Sequence, residues 1–134
     1  MLKGVTIHKI EYTKEENDGF KEGLGNAHTH GMEKYGLKNL CLGVDFDKER
    51  TGYILNEVSE LMSDPTEDMD MKKIHFLHNS YGTVTLKFRM IEAKCFDESV
   101  ILIIVADPNG RFPGDKMCLE PYKYQLSNHH DIEW

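Results

Sequence analysis

An α+β domain is the architecture this 134-residue chain implies: one mixed or mostly antiparallel sheet, one main amphipathic helix and a short C-terminal helix or loop. Three observations carry that expectation. Residues 47–63 repeat apolar side chains at helical spacing, residues 83–90 alternate apolar with polar, and residues 99–106 are apolar on both faces. No internal repeat, low-complexity segment or linker divides the chain, so 1–134 is read as a single domain of ordinary size.

The first element is "KGVTIHKIEY", residues 3–12, where Val5 and Ile7 alternate with Thr6 and His8 as in a strand. Residues 13–25 are charged and glycine-bearing and read as loop. "NAHTHGMEKYG" follows at 26–36. Then Leu40, Leu42 and Val44 alternate with Cys41 and Gly43, which predicts a strand over 39–45. In "DKERTGYILNEVSELMS" the residues Ile54, Leu55, Val58, Leu61 and Met62 form one helical stripe. Asp45 or Asp47 can cap its first turn, and Glu49 complements the positive end of the helix dipole. The helix is expected to stop near Ser63, because Pro65 disfavours a helical conformation at Asp64.

An acidic connection, "DPTEDMDMKK", leads into a β-rich second half. "KIHFLH" (73–78) is a short apolar segment and "NSYG" a turn. Val84, Leu86, Phe88 and Met90 share one strand face, with Thr85, Lys87 and Arg89 on the other. "CFDES" reads as a hairpin turn into 99–106, whose two apolar faces belong in the middle of a sheet. The Asn109-Gly110 turn ends that strand.

Composition narrows the function classes. Hydrophobic residues make up 40% and charged residues 29%, a soluble globular balance. Against 16 Lys+Arg stand 23 Asp+Glu, a net charge of -7 without a basic stripe, so nucleic acid is not an expected partner. The longest apolar run, Val100 to Ala106, falls far short of the ~20 residues that cross a bilayer, and no membrane partner is expected. The opening segment carries no signal-peptide pattern. Cys41, Cys95 and Cys118 are odd in number and widely spaced, which fits neither a disulfide framework nor a CxxC zinc knuckle. A reducing, cytoplasmic setting is the expectation.

Two polar constellations can carry chemistry. His28 and His30 stand two apart, so in an extended chain both imidazoles point the same way and can reach one ion. A zinc, iron or manganese ion is the candidate cofactor, and it needs a third ligand from elsewhere; Glu33, Asp45, His75, His78 and Asp107 are available by type. The "HTHG" start is similar to that of amidohydrolases, yet those build it into a barrel of ~250 residues that this chain is too short to form. The other reading is a histidine pair that hydrogen-bonds locally and orders a loop. The second constellation, "ADPNGRFPGDKMC", follows the most apolar strand and gathers Asp107, Asn109, Arg111, Asp115 and Cys118. Arg111 can grip a carboxylate or phosphate. The structural alternative has Asp107 capping the Pro-Asn-Gly bend and Arg111 paired to Asp115. Cys118 is a conceivable nucleophile without a supporting signature, while Cys41 and Cys95 suit the core.

Three blocks, "GNAHTHGMEKYGLKNLCL", "TGYILNEV" and "VADPNGRFPGDKMCLEPYKYQ", taken in this order, are similar to the pattern of the bacterial domain-of-unknown-function 4262 family. The resemblance runs from about Gly19 to Gln125. It implies that His28, Thr29, His30, Gly31, Glu33, Lys34 and Tyr35 mark the first block. The last is marked by Asp107, Arg111, Phe112, Pro113, Asp115, Cys118, Tyr122 and Gln125. It further implies a small bacterial cytoplasmic domain and brings no activity with it.

The leading expectation is a binding or accessory module whose 28–36 and 107–118 loops form one polar, ligand-facing site from His28, His30, Glu33, Tyr35, Asp107, Arg111, Asp115 and Cys118. Two alternatives come from other classes: a small metal-dependent hydrolase using His28 and His30, and a protein-interaction module of the toxin-neutralising type. A small molecule, a protein, or a second copy of this chain remain the open partner classes.

Overall fold

The apolar run after Asp97 forms the strand from which the rest of the architecture is measured. The computed structural model describes residues 2–10, 24–71, 73–95 and 98–126. Its elements are β1 (Thr6–Ile10), β2 (Leu24–His30), a 3₁₀ turn (Met32–Tyr35), β3 (Leu40–Val44), α1 (Lys48–Ser63), β4 (His75–His78), β5 (Val84–Cys95), β6 (Glu98–Val105) and a second 3₁₀ turn (Tyr122–Tyr124). The six strands make one mixed sheet in the order β1-β2-β3-β6-β5-β4, and β3 and β6 are the parallel pair. This is the expected α+β architecture.

Because β6 lies between β3 and β5, its backbone is paired on both sides and its side chains are covered on both faces. Ile101, Ile103 and Val105 meet Ile54, Leu55 and Val58 of α1, together with Leu42, Phe88 and Met90. Val100, Leu102 and Ile104 form a second cluster with Cys41 and Ala93, closed by Ile91, Phe112 and Leu126. Fully burying an aliphatic side chain of this kind stabilises by about 1.5–3 kcal/mol, so both clusters outweigh any surface pair.

The helix starts and stops for the local reasons read from its sequence. Of the two candidate caps it is Asp47 that serves, accepting the Arg50 N–H at 2.7 Å. Asp64 leaves the helix in an extended conformation ahead of Pro65. No helix among the described residues is long and apolar enough to cross a membrane.

Three expectations need correction. Residues 24–30 are strand, where 13–25 was expected to be loop and the histidine block part of a loop; residues 11–23 lie outside the described residues. The segment lacks apolar alternation, but β1 and β3 pair with it on both sides and supply the backbone partners that hold it extended. Val84 is 49% exposed although it begins the apolar face of β5, because the ladder to the edge strand β4 becomes irregular at His78. Finally, β5 runs on to Cys95, which pairs with Glu98; the tip of this hairpin, 96–97, and the tail from 127 onward lie outside the described residues.

The join between β2 and its 3₁₀ turn depends on Gly31. Its φ is 99°, and a Cβ placed there would stand 2.2 Å from the Gly4 carbonyl oxygen. Gly36 also has positive φ, 73°, but nothing within 4 Å of such a Cβ. Gly31→Ala should therefore destabilise by about 2–5 kcal/mol, backbone strain plus overlap, while Gly36→Ala should cost only the strain, about 1–2 kcal/mol. Urea unfolding of the two variants checks this difference; equal losses would show that the contact with Gly4 yields freely.

Candidate functional site

Antiparallel pairing of β1 with β2 sets His8 directly opposite His28 and Thr6 opposite His30. Cross-strand partners share a face, and residues two apart on one strand do so too, so His8, His28 and His30 converge on one side of the sheet. That side is the one away from α1: Cys41, the partner of His28 on β3, belongs to the second cluster. The Nε2 atoms of His28 and His30 are 3.0 Å apart. The ring of His8 lies 5.2 Å from that of His28 and 5.8 Å from that of His30, centroid to centroid. One ring nitrogen from each of the three falls within 4.8 Å of the others.

His28 is half-buried, while His8 and His30 are exposed. Burial, followed by the neighbouring His30 and His8, lowers the pKa of His28 below the usual histidine value, with Glu98 opposing the shift. Burial and the neighbouring imidazoles thus favour its neutral form. Beside the cluster is a cleft of about 370 Å³ lined by His30, Glu33, Lys38, Asn39 and Glu98 among others.

Asn39 organises this end of the sheet. Its buried side chain accepts from the Met32 N–H at 3.1 Å and donates to Glu33 at 3.2 Å and Glu98 at 2.9 Å. Its own carbonyl accepts from Ile101. Thr29, also buried, donates through its hydroxyl to Asn39 and accepts from the Leu40 N–H at 2.9 Å. Glu33 has its pKa lowered by its own backbone N–H first, then by Asn39 and Gly31. Tyr35, on the same 3₁₀ turn, donates its hydroxyl to the Lys3 carbonyl and so ties this turn to the segment before β1.

The second constellation folds on itself. Asp107 is buried, and its carboxylate accepts backbone N–H groups from Asn109, Arg111 and Leu119, each at 2.9 Å. Burial works against its charge, yet the three N–H donors win and the pKa lies below the ordinary aspartate value. Arg111 directs its guanidinium to the Met117 carbonyl, and Asp115 accepts from the Met117 N–H rather than meeting Arg111. Cys118 is buried, its thiol aimed at the Arg111 carbonyl; burial, with Asp107 and Asp115 nearby, pushes its pKa up and keeps it a thiol. These residues build the loop that follows β6.

The expected single site is not assembled. The 31–39 segment enters β3 beside Ile101 and Glu98, at the start of β6, whereas Asp107 to Cys118 leave from its end. The 31–39 segment meets β6 through Asn39 at Glu98 and Ile101, and Asp107 follows Ile101 by six residues, about 20 Å at ~3.3 Å per residue; His28, paired with Cys41 opposite Leu102, stands nearer the middle of β6. His28, His30 and Glu33 thus stand together, with Tyr35 on the same short turn; Asp107, Arg111, Asp115 and Cys118 form the other group. The residue that sequence reasoning missed is His8, which completes the histidine cluster in place of the acids and histidines considered for it. Its alternation with Ile7 on β1 was the available signal, but the partner strand was not. Comparison with protein-family models, with curated proteins and with solved structures returned no match, so the likeness carried by the three motif blocks stands on those residues alone.

Two outcomes follow from these environments. Asp107→Ala removes the acceptor for three backbone donors and should destabilise by about 2–4 kcal/mol in chemical denaturation; a loss under ~0.5 kcal/mol would mean that the loop finds other partners. The lowered pKa of His28 makes a stabilising contribution that is full above its unfolded value of 6.5 and lost as pH falls through its folded value. Unfolding curves between pH 7.5 and pH 5 should show this loss in the native chain and less of it in His28→Asn, a range set by the ordinary histidine pKa of about 6.5.

Proposed function

We propose that this domain binds one divalent transition-metal ion through His8, His28 and His30 and presents it to a small polar molecule in the adjoining cleft. The observation that carries the proposal is the convergence of three imidazole nitrogens within 4.8 Å, two of them at 3.0 Å. A tetrahedral ion with Zn–N bonds of about 2.0–2.1 Å holds its ligands ~3.3 Å apart. His28 and His30 need to open by a few tenths of an ångström, and His8 must swing inward, which an exposed ring at a strand edge can do. The neutral state of His28 favours the same role, since a ligand must release its proton before it binds.

Three histidines leave a fourth position vacant for water or substrate, the arrangement of catalytic rather than structural zinc sites. An ion held this way supplies Lewis acidity and lowers the pKa of a bound water to about 7, which makes hydrolysis the reaction class that suits it. Glu98 and Asn39 would then border whatever enters the cleft beside His30.

The test is metal analysis of tag-free protein, followed by titration with Zn²⁺, Mn²⁺ and Fe²⁺. One ion per chain is expected, with His8→Ala and His28→Ala each weakening affinity by at least about tenfold. Substitution by Co²⁺ should produce the intense visible absorption of a four-coordinate site. His129 and His130 remain in both variants; unchanged binding would assign the ion to them and overturn the proposal. So would less than about a tenth of an equivalent after reconstitution.

A further inference from the structure

At the opposite end of β6 lies a second cleft, of about 320 Å³, that no part of the histidine site uses. Its wall combines Arg50 from the first turn of α1, Val84, Leu86 and Lys87 from β5, and Tyr122 from the last 3₁₀ turn. Two features set it apart. The guanidinium of Arg50 lies over the Phe46 ring at 4.5 Å, which fixes its plane without using its N–H donors. Lys87 donates to the Gly110 carbonyl at 2.8 Å and lies over Phe112 at 5.3 Å, so both of its contacts are uncharged. Among the described residues neither cation has a carboxylate partner.

Arg50 and Lys87 thus bring two cations to one concavity of a chain whose net charge is -7. Asp107 lines the same cleft, but its carboxylate accepts from three backbone N–H groups and pairs with neither cation. Thr85, Asp107, Pro108 and Gly110 also line the cleft, and its apolar part comes from Val84, which is half exposed, with Leu86 and Tyr122. The volume stands at the lower end of the range for ligand pockets, which limits the occupant to a small molecule.

We propose that this cleft binds a small organic anion, a carboxylate or phosphate monoester group on a short apolar body, with Arg50 and Lys87 meeting the anionic group and Val84, Leu86 and Tyr122 its apolar part. A planar guanidinium suits either anion, since it can give two parallel N–H bonds to a pair of oxygens. No residue lining this cleft belongs to the histidine cluster, so the proposal does not rest on the metal site.

Amide chemical-shift titration of the full chain with benzoate, phenyl phosphate, inorganic phosphate and benzyl alcohol tests the proposal. Benzoate or phenyl phosphate should move the amides of Arg50, residues 84–87 and residues 106–110, and the tighter of the two identifies the headgroup. Arg50 is exposed, so Arg50→Ala should weaken binding about five- to tenfold, the scale of one charge-assisted pair. Val84→Glu, at a half-exposed position that need not disturb the core, should weaken it comparably by placing a like charge in the wall. His28→Ala should leave it unchanged. Equal binding of benzyl alcohol, equal binding of inorganic phosphate and phenyl phosphate, shifts centred on β1 and β2, or no shifts up to ~10 mM ligand would each overturn the proposal.

Discussion

A strand that is apolar on both faces cannot be left half covered, and β6 imposes that requirement on everything around it. Residues Val100 to Val105 alternate between two clusters, and each cluster needs its own lid. One lid is α1, whose stripe of Ile54, Leu55 and Val58 matches Ile101, Ile103 and Val105. The other comes from the C-terminal segment through Phe112 and Leu126. The backbone of β6 is equally demanding. Where the pairing with β3 ends, the Gln125 side chain takes over, accepting the Val105 N–H at 2.8 Å and donating to its carbonyl at 2.6 Å. A buried amide thus substitutes for the missing neighbour strand.

The two lids are unequal, and the difference shapes the functional surface. Among the described residues, Phe112 and Leu126 close the second face over the middle of the sheet. Farther out, on β1 and β2, the same face carries Thr6, His8, His28 and His30, with Thr6, His8 and His30 open to solvent. Three imidazoles at such a place make no contribution to the core, and their mutual approach is unfavourable once more than one is protonated. An arrangement that lowers the pKa of His28 therefore runs against stability at acid pH.

Polar residues at the two ends of β6 do different kinds of work. Asn39 and Thr29 lock β2, the 3₁₀ turn, β3 and β6 to one another at the start of that strand. Asp107 gathers the loop that leaves its end. Each is a buried polar side chain with several partners, and each holds a cleft in shape nearby.

Local pattern was enough to recognise α1 and the double-faced apolar strand β6, to narrow the helix cap to Asp45 or Asp47, and to place the helix end before Pro65. Period, capping and proline geometry act over a few residues, so they can be read in one dimension. The likeness in spacing between His28 and His30 was legible for the same reason: residues two apart in a strand share a face. His8 was not, because joining it to them depends on which strand β2 pairs with and in what register. The placing of the 28–36 and 107–118 blocks was equally hidden, since it follows from β3 lying parallel to β6 and from where along β6 each block meets it. Sequence order records neither strand order nor register; packing the two faces of β6 settles both.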